Sequence, residues 1–192
     1  MKDLPEDRRE NRTVGSAQGK EHGMNVVLHE PGIALNTGNI GRTCVASGTK
    51  LHLIRPYGFR INEKEIARAG MDYWHRLDLA EYVDYTDFCE KNPQAKVWYA
   101  TTKAKHVYTE VSFGPDDYIM FGNESRGIPE EILIEHPDEC IRIPMAEGER
   151  SLNLANSAAI VLYEALRQQN FAGLLKTGEL HRLHWENDRT GI

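Results

Sequence analysis

The chain has 192 residues, 40% hydrophobic and 27% charged, which is enough for one domain with a substantial core. No apolar run approaches the roughly 20 residues of a membrane-spanning helix, and a formal net charge of −6 argues against a protein that coats nucleic acid without specificity. Three widely separated cysteines without CxxC spacing argue against a disulfide framework and a structural zinc site, and they favour a reducing, cytoplasmic compartment.

Strands and helices are predicted to alternate along the chain. The predicted strands cover residues 24–29, 50–56, 95–102, 117–122 and 140–144. The predicted helices cover residues 36–48, 61–70 and 85–93, a short segment from Pro129, and about 151–169. This alternation predicts an α/β fold with a parallel sheet flanked by helices on both faces.

The two ends of the chain are predicted to be tails. Residues 1–23 are polar and lack the apolar segment of a secretory signal, so we expect a disordered N-terminal tail. Residues 174–192 have weak periodicity and form a predicted C-terminal tail, which leaves 24–173 as the single domain.

The last helix is predicted to begin at Ser151, a residue type that caps helix N-termini well. Its predicted core face is an apolar stripe at helical spacing. The members of this stripe are Leu152, Ala155, Ala159, Leu162 and Leu166.

Ligands of open parallel sheets bind where the carboxyl ends of strands meet, so loops that follow strands are the candidate sites. The loop "EPGIALNTGNIGR" after the first strand places Asn36 and Arg42 around a helix start, where free backbone N–H groups and a cation suit a phosphate. An ordinary capped helix with an exposed arginine explains the same pattern equally well.

The loop "FGNESRGIP" contains two glycines around polar residues, which suggests backbone that lies close to a flat ligand. The alternative is an ordinary strand-to-helix turn in which Glu124 and Arg126 form a solvated surface pair. Neither loop alone decides between these interpretations.

Other candidate sites are weaker. His181 and His184 have i,i+3 spacing without a third ligand, so no metal site is expected. Cys44 is expected to point into the core rather than to act as a nucleophile.

Three motifs in order resemble those of the SPOUT superfamily of knotted RNA methyltransferases. They are "NTGNIGR" (36–42), "MFGNESRGIP" (120–129) and "IRIPMAEGERSLNLANSAAIVLYEALRQ" (141–168). The resemblance runs from Met24 to about Gly173 and is greatest to the compact members that methylate the ribose 2'-hydroxyl of the tRNA wobble nucleoside. It implies a C-terminal trefoil knot, S-adenosyl-L-methionine as cofactor, no metal, and a homodimer that acts on tRNA.

The resemblance also assigns roles to residues. Catalytic roles fall on Arg42, which would bind the phosphate beside the target ribose and help to activate its hydroxyl, and on Tyr163, for which packing on the core helix is an equal alternative. The implied cofactor-binding residues are Ala100, Gly122, Ile143, Ser151, Leu152 and Asn153. RNA binding is assigned to Arg42, Lys103 and Arg126.

A basic surface for RNA would draw on further side chains, and one position departs from the pattern. The contributing cations would include Lys64, Arg68, Lys105 and His106. Ala155 stands where the superfamily commonly has serine, so any role of that hydroxyl is absent or moved.

Three alternative functions stay open. The same chemistry could act on another tRNA or rRNA ribose, and the chain could be an RNA-binding module without catalysis. A nicotinamide-dependent dehydrogenase would need GxGxxG after the first strand, where this chain has "NTGNIG".

Overall fold

The computed structural model describes residues 23–59, 73–183 and 185. The predicted helix over 61–70, with Lys64 and Arg68, lies outside these residues, as do residues 1–22 of the predicted N-terminal tail and His184 and residues 186–192 of the predicted C-terminal tail.

The described elements follow the predicted alternation. The strands are β1 (Asn25–His29), β2 (Lys50–Ile54), β3 (Leu79–Tyr82), β4 (Val97–Ala100), β5 (His106–Val107), β6 (Tyr118–Phe121) and β7 (Cys140–Arg142). The helices are α1 (Ala34–Ser47), a 3₁₀ turn (Trp74–Arg76), α2 (Tyr85–Lys91), α3 (Glu130–Leu133) and α4 (Leu154–Gln168). The prediction that α1 ends at Gly48 is confirmed by a left-handed C-cap with φ of 68°.

The strands form one seven-stranded sheet in the order β3-β2-β1-β6-β4-β7-β5, and every described pairing is parallel. In register, Phe121 lies beside both Leu28 and Ala100, and Ala100 lies beside Ile141. The ends of four central strands therefore meet at one edge, and the prediction of a parallel sheet is confirmed.

Helices cover both faces of this sheet, as predicted. Leu28 and its face of β1 pack with Cys44 of α1 and Leu162 of α4. Val27 points to the opposite face, where it joins a cluster with Phe88 of α2 and Leu133 of α3. Cys44 lies in the core, as expected, and its burial raises the pKa of the thiol to about 12.

The start of α4 differs from the prediction. Asn153, not Ser151, caps the helix, because its Oδ1 accepts hydrogen bonds from the backbone N–H groups of Ala155 at 2.9 Å and Asn156 at 3.3 Å. Leu152, predicted in the core, precedes the helix and is exposed. The prediction is confirmed for Leu162 and Leu166, whereas Ala155 and Ala159 are only half-buried. The buried face of α4 consists of Ala158, Val161, Leu162, Ala165 and Leu166.

Candidate functional site

A cavity of about 850 Å³ opens at the carboxyl edge of the sheet, beside the ends of β4, β6 and β7. Residues that the sequence predicted as cofactor-binding all line it, although they come from four separate segments. They are Ala100, Gly122, Ile143, Ser151, Leu152 and Asn153. Lys103 and Arg126, two of the predicted RNA-binding residues, line the same cavity.

Gly122, directly after β6, can only be glycine. A Cβ atom at this position would overlap the backbone of Gly127 and Ile128, closer than real Cβ atoms approach other atoms. The chain folds back there because the Gly127 N–H donates to the Asn123 carbonyl at 2.8 Å and Gly127 adopts φ of 72°. The wall of the cavity is therefore built from closely apposed backbone.

Glu124 joins this loop to the start of α1. Its carboxylate accepts hydrogen bonds from the Gly32 N–H at 2.8 Å, the Ile33 N–H at 3.2 Å and Asn36 Nδ2 at 2.9 Å. Burial alone would raise the pKa of the Glu124 carboxyl, but these hydrogen bonds outweigh burial and hold the pKa below its ordinary value.

Asn36 extends the link to α4. Its Oδ1 accepts a hydrogen bond from Asn153 Nδ2 at 3.0 Å, while Asn153 caps α4 through its own Oδ1. A chain of hydrogen bonds thus runs from Glu124 through Asn36 to Asn153 and fixes the loop after β6, the first turn of α1 and the start of α4 relative to one another. The sequence pointed to all three residues separately, but not to this connection.

Two contacts bear on alternatives raised by the sequence. Ile33 is the N-cap of α1 and makes no side-chain cap hydrogen bond, so the capped-helix alternative is wrong, and the N–H groups of Gly32 and Ile33 just before the helix bind Glu124. Arg126 pairs with Glu30, at 2.9 Å between the guanidinium nitrogen and Oε2, so the proposed Glu124–Arg126 surface pair is wrong.

Lys103 is also held by a carboxylate. Its Nζ lies 2.7 Å from Oε1 of Glu130, at the start of α3. This contact lowers the pKa of the Glu130 carboxyl, first through the hydrogen bond and then through the charge of Lys103. Glu30 and Glu130 were not singled out as pairing partners from the sequence, because nothing local indicates which cation each one faces.

The two predicted catalytic residues lie outside the lining of this cavity. Arg42 is exposed on α1, with its guanidinium carbon 5.9 Å from the centre of the Tyr73 ring. Tyr163 is exposed on α4, which counts against the alternative that it only packs on the core helix. Ser157, two residues after Ala155, contributes to the cavity wall.

Comparison with known proteins identifies the family. The model described as "SpoU rRNA Methylase family" matches residues 23–163, which is most of the chain. The chain belongs to the SpoU methylase family. This membership excludes the dehydrogenase alternative.

The chain matches two relatives over nearly their whole length. The tRNA (cytidine(34)-2'-O)-methyltransferase of Escherichia coli strain K12 is 44% identical over 152 residues, which cover 78% of this chain and 96% of the relative. A solved structure described as "Structural insights into the 2-OH methylation of C/U34 on tRNA" is 41% identical, with a TM-score of 0.73 over 78% of this chain and 97% of that one.

A third relative has been solved with a ligand. The AdoMet-bound rRNA methyltransferase from Sinorhizobium meliloti is 27% identical, with a TM-score of 0.68 over 77% of this chain and 57% of that one. AdoMet is S-adenosyl-L-methionine, the cofactor that the sequence motifs imply.

Within the described ranges, no helix could cross a bilayer, and no group of three or more histidine, cysteine or acidic side chains is arranged to hold a metal ion.

Proposed function

We propose that this SpoU methylase transfers a methyl group from S-adenosyl-L-methionine to the ribose 2'-hydroxyl of the wobble nucleoside of tRNA. The observation that carries the proposal is the single cavity lined by all the residues assigned to the cofactor. The choice of substrate is based on the relatives named tRNA (cytidine(34)-2'-O)-methyltransferase. They are more than 40% identical to this chain over nearly their full length. Its proposed compartment is the cytoplasm.

The cavity fits the cofactor in size and chemistry. Its volume of about 850 Å³ lies within the range of small-molecule sites. Apolar Ile143 and Leu152 offer surfaces for a flat base, while the backbone after Ala100 and at Gly122 offers hydrogen-bonding groups beside it. When bound, the cofactor supplies a methyl carbon that is open to displacement by an oxygen nucleophile.

Arg42 is the proposed catalytic residue at the RNA. A ribose hydroxyl is a poor nucleophile and must lose its proton during transfer. Because arginine is effectively always protonated, Arg42 would bind the adjacent phosphate and stabilise the charge that develops on the oxygen, rather than abstract the proton itself. Lys103 and Arg126, at the cavity, would bind further phosphates.

A homodimer would bring Arg42 to a cavity. Arg42 and Tyr163 lie outside the cavity of their own protomer, on the adjacent helices α1 and α4. The same two helices expose the large apolar side chains Leu35 and Ile160. A second copy that covers this surface would place Arg42 and Tyr163 of one protomer beside the cofactor of its partner, which explains their distance from their own cavity.

The remaining elements of the proposal come from the superfamily resemblance. They are a C-terminal trefoil knot, a methyltransferase domain over 24–173, and tails over 1–23 and 174–192.

Cofactor binding and turnover test the proposal together. We expect S-adenosylhomocysteine, and not NAD, to bind in isothermal titration calorimetry. Arg42→Ala should lose most methyl transfer to tRNA and keep its affinity for S-adenosylhomocysteine, whereas Lys91→Ala, at an exposed cation on α2, should keep both. Loss of cofactor binding in Arg42→Ala would contradict the role assigned to Arg42.

A further inference from the structure

Two of the four cations that line the cavity, Arg126 and Lys103, are each held by a carboxylate that does not line it; the other two are Arg142 and Arg150. Arg126 pairs with Glu30 at 2.9 Å, and Lys103 pairs with Glu130 at 2.7 Å. Glu30 follows β1 and Glu130 begins α3, so the pairs join distant parts of the chain. We call these four side chains the mouth pairs.

The mouth pairs carry no net charge, so they reduce the positive charge at the cavity to that of Arg142 and Arg150, which form no ion pair among the described residues. A phosphate that approaches Arg126 or Lys103 also meets the carboxylate beside it. Because Coulomb energy falls only as the inverse of distance, a carboxylate within 3 Å of the cation offsets much of the attraction on that phosphate.

RNA phosphates can nevertheless displace the carboxylates of the mouth pairs at a small cost in free energy. The side chains of Arg126 and Lys103 are 70% and 51% exposed. Exposed ion pairs of this kind typically change an equilibrium constant by no more than about fivefold, as double-mutant cycles show. RNA phosphates can therefore replace the carboxylates, at a modest loss of affinity for each pair.

We propose that Glu30 and Glu130 limit the electrostatic, sequence-independent part of RNA binding by neutralising Arg126 and Lys103 until phosphates replace them. This inference rests on the proposed function and extends it, because it states how an acidic chain restrains its affinity for RNA in general. Recognition is then left to contacts that depend on the shape of the bound RNA.

The test replaces each carboxylate by its neutral isostere. Glu30→Gln and Glu130→Gln keep a side-chain oxygen that can accept the existing hydrogen bond but remove the charge. Binding of tRNA and of polyuridylate, a single strand without a tRNA fold, would be measured by fluorescence anisotropy over a range of salt concentrations.

Each substitution should tighten the binding of both RNAs by about two- to fivefold at low salt, and the double variant should tighten it further. The slope of log K against log salt should become steeper by up to about 0.7 for each site, because one more phosphate contact is made without an opposing carboxylate. Affinity for S-adenosylhomocysteine should not change.

Two controls isolate the mouth pairs. Glu131→Gln removes the same charge from the same turn of α3, and Glu131 forms no described ion pair, so it should change RNA affinity less than Glu130→Gln. In a Lys103→Gln background, Glu130→Gln should no longer tighten binding, because its effect acts through Lys103.

The contrary outcomes are distinct. Weaker RNA binding in Glu130→Gln would mean that the carboxylate positions Lys103, and equal tightening in Glu131→Gln would mean a general charge effect; each overturns the inference alone. If neither the wild type nor any variant binds RNA at low salt, the proposed function fails and the inference fails with it.

Discussion

Glu124 organises the site at the scale of single residues. Its carboxylate accepts hydrogen bonds from two backbone N–H groups and from the side-chain amide of Asn36. The amide oxygen of Asn36 in turn accepts a hydrogen bond from Asn153. The sequence did not indicate the partner of the Gly32 and Ile33 N–H groups, which lies 92 and 91 residues further along the chain. Hydrogen bonds of that separation leave no local pattern, so only the structure could assign them.

We predict that Glu124→Gln destabilises the protein and weakens binding of S-adenosylhomocysteine. The glutamine NH₂ would face at least one N–H donor that now meets a carboxylate oxygen. The free energy of unfolding, measured in urea, should fall by about 1–3 kcal/mol. Glu135→Gln, an exposed control on the segment after α3, should change it little, and equal effects in both variants would contradict the role of Glu124.

The lowered pKa of the Glu124 carboxyl makes the difference in unfolding free energy between the wild type and Glu124→Gln depend on pH. Its pKa is below the ordinary 4.5 in the folded state, so the unfolded chain binds the proton more tightly. The stabilisation should be full above pH 4.5 and should be lost as the pH falls through the lower folded pKa. The difference between wild type and Glu124→Gln should therefore shrink on acidification.

At the scale of elements, periodicity predicted the buried strands and the long helices well, while weak or tertiary signals were missed. β3 was missed because it is a short edge strand with little full burial, and β5 has only two residues. The start of α4 was placed too early because Ser151 and Asn153 are equally good caps by type, and only the contact of Asn153 with Asn36 favours the later one.

Gly122→Ala tests the close approach of backbone after β6. The added methyl group would overlap the peptide between Gly127 and Ile128, so the loop must move. We predict a loss of about 3 kcal/mol or more in the free energy of unfolding, together with loss of S-adenosylhomocysteine binding. Gly178→Ala, where a Cβ would meet nothing within 4 Å, should leave both unchanged. Normal cofactor binding by Gly122→Ala would show that this loop does not shape the site.

At the scale of the whole molecule, the alternation of elements predicted that the loops after the strands would meet at one edge, and they do. The strand order was not predictable, because each parallel crossover can reach several positions. Arg42 and Tyr163 mark a second limit, because the proposed sharing of the site between two chains cannot be tested by the contacts within one chain.

Ile160→Arg tests the proposed dimer. A charge in the exposed apolar surface of α4 should convert the protein from dimer to monomer in sedimentation experiments, because burying an unpaired guanidinium at an interface is costly. Methyl transfer should fall with it. Ile134→Arg, at a more exposed isoleucine after α3, should keep the dimer. A wild-type protein that sediments as a monomer at working concentrations would contradict the shared site.

The most direct test of the central claim is to map the transferred methyl group. The protein would be incubated with methyl-labelled S-adenosyl-L-methionine and tRNA from cells that lack this enzyme, and the digested RNA would be analysed by nucleoside. We predict label on the 2'-oxygen of a wobble cytidine or uridine, and its absence with Arg42→Ala. Label at another tRNA or rRNA ribose would contradict the substrate, and no label despite measured cofactor binding would favour an RNA-binding module without catalysis.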